Sequence, residues 1–194
     1  EIFDLLFPLH KKQPWLAKRS DHLNTLLTSD CSSPEQQLLI LNLLNNFTYV
    51  TSEDYGDILD EIVKEITSTY AEENTIVVAM AIGNSPDSSQ HVIYQMKPSF
   101  ESYGWRKPFL INNIDKIPRE INKRKKEGHV KINNVIVVDE FIGSGSTVKG
   151  RYEKIKRECF KSEKDVFSDC SISFFSIAST FSGYKNIKSL NINC

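Results

Sequence analysis

The segment VIVVDEFIGSGST, residues 135–147, constrains the fold of this chain more than any other stretch. It opens with four β-branched residues in a row, a pattern typical of a strand that is buried on both faces of a parallel sheet. Two acids, Asp139 and Glu140, follow at the predicted carboxyl end of this strand. The chain then turns through a short loop into a helix predicted over residues 148–160. A strand, a tight loop and a helix in this order indicate an α/β fold built on a parallel sheet.

The loop between this strand and the helix has the composition of an anion site. Its glycines permit positive φ, its hydroxyl side chains add donors, and a helix N-terminus follows, so backbone N–H groups can converge on a phosphate. Ligands of open α/β sheets bind at the carboxyl ends of the strands. We therefore predict that a phosphate contacts the loop, and that vicinal hydroxyls, or a metal bound to them, face Asp139 and Glu140. The loop residues are Gly143, Ser144, Gly145, Ser146 and Thr147.

A ribose 5-phosphate carries a phosphate and vicinal hydroxyls on one molecule, and it therefore satisfies both demands. The alternative is a buried strand that is followed by an ordinary polar turn, because short Gly/Ser loops are common. The standard nucleotide loops fit less well. No Lys-Ser or Lys-Thr pair follows a Walker-type glycine, and the GxGxxG pattern is absent.

The same segment resembles the phosphoribosyl pyrophosphate (PRPP) motif of type I phosphoribosyltransferases. Asp139 and Glu140 match the acidic pair of that motif. Ser144 and Gly145 match its hydroxyl-glycine step, and Thr147 matches its closing threonine. The resemblance implies a Rossmann-like, phosphoribosyltransferase-like domain that binds PRPP with Mg²⁺, and it makes the two acids both catalytic carboxylates and metal ligands. The chain also resembles the phosphoribosyltransferase-like proteins of bacterial conflict and antiviral systems, and this resemblance implies a role in phage defence. A glutamate in place of the commoner second aspartate departs from the motif.

A second loop of similar type follows the strand predicted over residues 75–83. Because it also lies between the carboxyl end of a strand and a helix, it is the second candidate anion site. In the family that the motif resembles, the corresponding loop contacts pyrophosphate. This loop contains no Lys or Arg, and the alternative is a capped helix start with Asp87 or Ser88 as the N-cap. The candidate contacts are Ser85, Asp87, Ser88 and Ser89.

The hydrophobic pattern divides the chain into two parts. Residues 1–50 form a predicted helical extension, in which Pro8 and Pro14 separate short helices and a further helix begins at Pro34. Residues 51–194 form the predicted phosphoribosyltransferase-like α/β domain, which starts with an amphipathic helix. Its remaining strands are predicted over residues 107–111, 171–179 and 189–193.

Aromatic residues near the predicted site offer stacking surfaces for a base. The resemblance implies a mobile lid over residues 102–106, with Gly104 as its hinge, and Trp105 in this stretch can stack on nucleic acid. Phe181 and Tyr184 lie in a predicted loop, at the position where the family holds its base. For these two residues, packing in the core is the alternative interpretation.

The helix predicted over residues 114–127 is strongly basic. Such a charge run is usually a solvated face, and the alternative is a surface that binds nucleic acid or an acidic partner protein. The basic residues are Lys116, Arg119, Lys123, Arg124, Lys125 and Lys126.

The composition argues against some classes of protein. The net charge of -1 disfavours broad electrostatic binding of nucleic acid, and no apolar run is long enough to span a membrane. The cysteines have no CxxC spacing and no signal peptide precedes them, so we expect reduced thiols and a cytoplasmic protein. The chain starts without a methionine and ends directly after a strand-like segment, which is compatible with a fragment of a longer protein.

Three functions are compatible with these patterns. The chain is a transferase that acts on PRPP and an unidentified acceptor, a non-catalytic protein that senses PRPP or a nucleotide, or an assembly subunit that docks on nucleic acid or another protein. An intact pyrophosphate site favours the first function, and a filled one favours the second. A large apolar face on residues 1–50 favours the third.

Overall fold

The computed structural model describes residues 2–128, 131–160 and 170–189. The chain divides into two compact units, Glu1–Thr51 and Ser52–Cys194. None of the helices in the described ranges combines the length and the apolar character that crossing a membrane requires.

The N-terminal unit is helical. It contains α1 (Ile2–Lys12), a 3₁₀ helix (Pro14–Arg19), α2 (Ser20–Thr25), a π-helical turn (Leu26–Asp30) and α3 (Pro34–Asn46). Pro8 lies inside α1, so the helix break predicted there is wrong; a proline removes one backbone donor and can kink a helix without ending it. Pro14 and Pro34 each begin a helix, where the missing N–H costs little.

Buried leucines form the core of this unit, and the buried side-chain amide of Gln13 forms hydrogen bonds with the end of α3 and with Trp15. The leucines are Leu9, Leu16, Leu23, Leu27 and Leu41. The Gln13 side chain donates from Nε2 to the Leu44 carbonyl at 3.0 Å and accepts from Trp15 Nε1 at 2.8 Å. The outer face of α3 leaves three large apolar side chains exposed, namely Leu38, Leu39 and Leu43.

The second unit alternates helices and strands. Its helices are α4 (Ser52–Thr69), α5 (Ser88–Ser102), α6 (Ile117–Lys126), α7 (Ser146–Ile155) and α8 (Phe181–Lys188). Its strands are β1 (Thr75–Ala79), β2 (Phe109–Ile111), β3 (Asn134–Ile142) and β4 (Ser171–Ser179). Short 3₁₀ helices span Glu72–Asn74 and Ile114–Lys116, and a π-helical turn, Lys156–Phe160, follows α7. Apart from Ser189, the strand predicted over residues 189–193 lies outside the described residues.

All strand pairs of the sheet are parallel, and the order is β2-β1-β3-β4. From β1 the chain moves to β2 at one edge, and from β3 it moves to β4 at the other edge. The direction of winding therefore reverses between β1 and β3. In open α/β sheets such a switch point leaves a crevice at the carboxyl ends of the two strands, and ligands bind there.

Helices cover both faces of the sheet. One core layer joins the side chains of Ile76 and Val137 to α6, α7 and α8. The other joins those of Val77 and Ile136 to α4 and α5. Burial on both faces explains why these strands are continuous apolar runs, and it confirms the predicted α/β fold class with a parallel sheet.

The predicted lid is partly built into the core. Trp105 is 6% exposed, and its ring stacks on Phe100 with 5.2 Å between centroids. Its backbone N–H donates to the Phe100 carbonyl at 3.0 Å, which closes the end of α5. The prediction that Trp105 offers a stacking surface to nucleic acid is therefore wrong, because burial of its apolar ring against α5 is the more favourable use.

Candidate functional site

β3 extends further than its neighbour β1 on the carboxyl side. Pairing between the two strands ends at Ala79 and Val138, whereas β3 continues to Ile142 in register with β4. Asp139 and Glu140 therefore lie within β3 near its carboxyl end, and the strand continues for two residues beyond them. β4 supplies the hydrogen-bonding edge that keeps these residues extended. The extension leaves a crevice beside β3, past the end of β1, at the switch point.

The two acids leave β3 on opposite sides. The apolar residues from Val135 to Val138 alternate between the α6–α8 layer and the α4–α5 layer, and Ile142, beyond the two acids, departs from this alternation and packs in the α6–α8 layer. Continued alternation places Asp139 on the first side and Glu140 on the second. In agreement with this placement, burial and then the charge of Glu140 raise the pKa of Tyr55, a residue of α4. A ligand that contacts both carboxylates must therefore lie over the crevice rather than on one face of the sheet.

Asp139 is a half-buried carboxyl group in negative surroundings. Burial, and then the charges of Asp87 and Glu140, raise its pKa from 3.8 to about 6. The N–H of Glu140, which donates to Asp139 Oδ1 at 2.9 Å, and the positive charge of Arg151 oppose this shift. A bound cation would neutralise the local excess of negative charge, so these surroundings fit a metal ion better than they fit a bare anion.

A divalent cation at this site needs ligands from a substrate as well. In residues 2–128, 131–160 and 170–189, no group of three or more His, Cys, Asp or Glu side chains is arranged to hold a metal ion. Mg²⁺ is commonly bound through one or two carboxylates, with phosphate oxygens and waters completing its shell. The oxygen donors of Asp139 and Glu140 fit this chemistry. Their divergence makes direct contact of both with a single ion unfavourable.

The loop after β3 presents unbonded backbone donors to solvent. Gly145 is the N-cap of α7 at φ 79°, and no side chain caps the helix. Over the described residues, the N–H groups of Ser144, Gly145, Thr147 and Val148 have no hydrogen-bond acceptor, and Ser146 N lies 3.4 Å from Ser144 Oγ. The side chains of this stretch from 144 to 147 are exposed except at the glycine. An uncapped helix start with a positive partial charge is suited to bind an anion.

Helix α8 holds this loop in place from behind. Thr180 Oγ1 donates to the Gly143 carbonyl at 2.7 Å, and Asn186 Nδ2 donates to the Ser144 carbonyl at 2.9 Å. A Cβ on Gly183 would overlap the Gly143 carbonyl oxygen, so only glycine permits this approach. The carbonyls of Gly143 and Ser144 thus accept hydrogen bonds from Thr180 and Asn186, and the N–H groups of the loop take no part in these bonds.

The sequence pattern predicts a loop over residues 180–184, whereas the structure has the helix α8 there. Thr180 is the N-cap of this helix and accepts from Gly183 N at 3.0 Å, and a threonine directly after a strand was the available signal. Phe181 is 73% exposed and Tyr184 is 42% exposed. Core packing is therefore excluded for Phe181, and its use in stacking stays a prediction. The Lys185 ammonium lies 4.6 Å from the centroid of the Phe181 ring.

The loop after β1 is organised differently, because its helix start is already capped. Asp87 is the N-cap of α5, and its Oδ1 accepts from Ser89 N at 2.9 Å and from Ser89 Oγ at 2.5 Å. Ser89 is buried, whereas Ser85 and Ser88 are exposed. The geometry does not support Asp87 and Ser89 as contacts of an anion, since a carboxylate occupies the helix donors and repels a phosphate. The capped helix start, the alternative interpretation, is what the structure shows.

The 3₁₀ helix that follows β2 holds the start of this second loop. Asn113, which is 2% exposed, donates from Nδ2 to the Gly83 carbonyl at 2.6 Å. Asp115 Oδ2 accepts from Gly83 N at 2.8 Å, and its Oδ1 lies 2.7 Å from Lys154 Nζ. The hydrogen bond to Lys154, and then that to the Gly83 N–H, lower the pKa of Asp115. The second loop is therefore bonded to the 3₁₀ helix that follows β2 and, through Asp115, is linked to α7.

Arg151 of α7 contacts the residue that directly follows β1 at the switch point. Arg151 Nε donates to the Met80 carbonyl, directly after β1, at 3.0 Å. Its charge opposes the rise in the pKa of Asp139 and also contributes to lowering that of Asp115. Arg151 follows Thr147 by four residues, which is one helical turn, and this spacing was the signal in the sequence.

The basic helix does not present one continuous surface. Arg124 packs over the Phe109 ring, with 3.7 Å from its guanidinium carbon to the centroid, and burial lowers its pKa. Arg119 and Lys116 line a groove of about 710 Å³ beside β2, together with Trp105. This groove lies away from the crevice between β1 and β3. Binding of nucleic acid or a partner protein by this helix stays a prediction.

Comparison with known proteins identifies a family. The model of the family described as PRTase-CE matches residues 30–194, which include both loops and the whole sheet. A solved structure that matches is the Helicobacter pylori Xanthine-Guanine-Hypoxanthine Phosphoribosyltransferase, at 17% identity and a TM-score of 0.40 over 68% of this chain and 76% of that chain. No curated protein sequence matches this chain.

Proposed function

Because the chain belongs to the PRTase-CE family, which is phosphoribosyltransferase-like, we propose that it binds PRPP or a ribose 5-phosphate nucleotide at the switch point. The 5-phosphate lies against the backbone N–H groups of Ser144–Thr147. The ribose lies over the crevice, where the carboxylates of Asp139 and Glu140 approach it from two sides.

The observation that carries this proposal is the uncapped start of α7. α7 starts after Gly145 with no side-chain cap, so the first N–H groups of the helix have no side-chain acceptor. Its loop carbonyls are bonded to Thr180 and Asn186 of α8, so the loop is fixed before a ligand arrives. A site that is built in advance binds an anion without the cost of ordering a loop.

The carboxylates suit a transfer reaction at the anomeric carbon. In that reaction the acceptor forms a bond to C1 of the ribose, the bond from C1 to the pyrophosphate oxygen breaks, and pyrophosphate leaves with the electron pair. Asp139 and Glu140 would stabilise the positive charge that develops on the ribose. Mg²⁺, held by one of these two carboxylates and by phosphate oxygens, would neutralise the leaving group. The acceptor is unidentified.

One observation favours binding without transfer as a second candidate function. The cap by Asp87 fills the helix start where the family contacts pyrophosphate. A protein that senses PRPP or a nucleotide needs the phosphate loop but does not need to activate the leaving group. The exposed leucines of α3 are compatible with the third function, an assembly subunit. A role in a bacterial antiviral system and a cytoplasmic location stay predictions.

The phosphate loop is tested by placing a carboxylate where the phosphate is expected. Thr147→Asp adds a negative charge in the first turn of α7, which stabilises a helix by roughly 0.3–1 kcal/mol but repels a phosphate. We expect it to keep or raise the melting temperature and to lose PRPP binding in calorimetry with MgCl₂. Thr147→Asn, of the same size and without the charge, is the matched control and should retain most of the affinity.

Two outcomes would contradict the proposal: no heat of binding for PRPP with the wild-type protein, or equal affinities for Thr147→Asp and Thr147→Asn. Release of pyrophosphate, measured by mass analysis after incubation of the wild-type protein with PRPP and candidate acceptors, separates transfer from sensing.

A further inference from the structure

The pyrophosphate end of the proposed ligand lacks an evident partner in its own loop. The residues of that loop include Asp87 but no Lys or Arg, and the Asp87 carboxylate already caps α5. Pyrophosphate is strongly anionic, so it needs a positive charge nearby in addition to any bound Mg²⁺. That charge must come from another element that faces the crevice.

Helix α7 carries two cations near this region, Lys154 and Arg151, and they differ in whether carboxylates already pair with them. Lys154 Nζ lies 2.7 Å from Asp115 Oδ1 and 3.4 Å from Glu158 Oε2, so its charge is balanced by two carboxylates. Arg151 uses Nε for the Met80 carbonyl. In the part of the chain that the structure describes, its terminal nitrogens make no hydrogen bond and no ion pair. Four N–H bonds of its planar fork are therefore available.

Arg151 is also correctly placed. Met80, the residue whose carbonyl it binds, is the point where the chain leaves β1 for the second loop. The charge of Arg151 also acts on Asp139 in β3 and on Asp115, which binds the Gly83 N–H, so the guanidinium lies within electrostatic reach of both carboxylates. The bond to Met80 orients the fork and leaves its outer edge for a ligand.

We propose that Arg151 of α7 binds the pyrophosphate group of PRPP, in place of the basic residue that the loop after β1 lacks. The inference rests on the proposed function and specifies one part of it. The helix that binds the 5-phosphate with its first turn thus binds the pyrophosphate with its second turn. A guanidinium fork can make two parallel hydrogen bonds to phosphate oxygens, which a lysine cannot.

The test compares ligands that differ only at the pyrophosphate end. Calorimetry with PRPP, inorganic pyrophosphate and ribose 5-phosphate, each with MgCl₂, is carried out on wild type, Arg151→Met and Arg151→Lys. We expect Arg151→Met to weaken binding of PRPP and pyrophosphate by about tenfold to a hundredfold, the loss of charge-assisted hydrogen bonds. Ribose 5-phosphate should bind within about threefold of wild type, because its phosphate lies against the first turn of α7. Arg151→Lys should restore part of the loss.

Lys149→Met is the matched control, since Lys149 is an exposed cation of the same helix. It should leave the ratio of PRPP to ribose 5-phosphate affinity unchanged. An equal loss of all three ligands in Arg151→Met would show that Arg151 only supports the fold through Met80, and would overturn the inference. Unchanged affinities would overturn it as well.

The wild-type protein separates failure of the inference from failure of the proposed function. If it binds ribose 5-phosphate and PRPP equally, the role of Arg151 is wrong while binding of the 5-phosphate by the loop after β3 is supported. If it binds neither ligand, the proposed function itself is wrong.

A measurement on the wild-type protein does not depend on the folding of a variant. Phenylglyoxal modifies accessible arginines, and mass spectrometry of the peptide that contains Arg151 reports its extent. We expect pyrophosphate with MgCl₂ to protect Arg151, and ribose 5-phosphate to leave it reactive. Equal modification with and without pyrophosphate would contradict the assignment.

Discussion

The two helices that begin at the switch point, α5 and α7, differ in what occupies their first turn. α7 starts at Gly145 with no side-chain cap, whereas α5 starts at Asp87, whose carboxylate accepts from Ser89. Both helices follow the carboxyl ends of neighbouring strands in one parallel sheet, so the fold gives them equivalent positions. Equivalent positions in the fold therefore do not make the two helix starts equivalent, because the capping residue decides whether the first N–H groups are available to a ligand.

The two loops are also held by different elements. The loop before α7 is bonded to α8 through Thr180 and Asn186, while the loop before α5 is bonded through Asn113 and Asp115. Each can therefore be loosened without changing a residue of the other. The substitutions below therefore test the support of each loop separately.

The largest effect is expected from Gly183→Ala. Its Cβ would overlap the Gly143 carbonyl oxygen, which is backbone and cannot rotate away, so α8 must move off the loop. We expect a loss of about 3 kcal/mol in the free energy of unfolding and loss of phosphate binding. Gly150→Ala in α7 is the control, because a Cβ there meets nothing within 4 Å; chemical denaturation should show it unchanged or stabilised. Similar stability of the two variants would refute the tight contact.

Asn113→Ala should loosen the second loop alone. The substitution removes the bond to the Gly83 carbonyl and the bond that the Asn113 side chain accepts from Asp115 N at 2.7 Å. Loss of such buried partners costs about 1–3 kcal/mol. Arg151, which we propose binds the pyrophosphate, is bonded to the residue that directly follows β1, at the start of this loop. We therefore expect weaker PRPP binding with ribose 5-phosphate binding retained, both read by calorimetry. The neighbouring exposed Asn112→Ala is the control, and a selective loss of ribose 5-phosphate binding in Asn113→Ala would reverse the assignment of the loops.

Thr180→Val tests the cap of α8 and the support of the first loop together. The hydroxyl of Thr180 accepts from Gly183 N and donates to the Gly143 carbonyl, and valine keeps the shape without either bond. Loss of an N-cap costs roughly 0.5–2 kcal/mol in the free energy of unfolding. Thr180→Ser keeps both bonds and should be close to wild type in thermal melts. If serine were as damaging as valine, packing of the methyl group would be the cause instead.

The smallest effect is expected from the titration of Asp139, since this carboxyl is only half-buried. Its pKa is raised to about 6, from 3.8, by burial, Asp87 and Glu140, with Arg151 and a backbone N–H in opposition. The folded state therefore takes up a proton more readily than the unfolded state. The stability that this proton contributes is complete below about pH 4 and is lost as the pH rises through about 6.

Asp139→Asn has no such titration. Its melting temperature should rise relative to wild type as the pH increases from 4 to 7.5, with most of the change between about pH 4 and pH 6 and little above that. A difference that stays constant with pH would show that Asp139 is not in the negative surroundings described above.

Sequence patterns predicted the central strands and α7, but they did not predict α8 or the contacts that join the elements. The β-branched run of β3 and its following glycines predicted the strand, the loop and α7, because local propensity and periodicity encode them. The continuation of β3 for two residues beyond Glu140 was missed, since it depends on pairing with β4, which lies more than thirty residues later. α8 was missed as a helix, and with it the contact between Gly183 and Gly143.

The chemistry of the loop that we propose binds phosphate follows from the sequence alone, because its glycines, its hydroxyl side chains and the two acids lie within nine residues of each other. Only the tertiary structure decided which helix start is open and which is closed. It also decided that Arg151 lies against β1 and that the two acids diverge. These features join residues that are distant in the chain, and such contacts are set by sheet order and packing rather than by any local pattern.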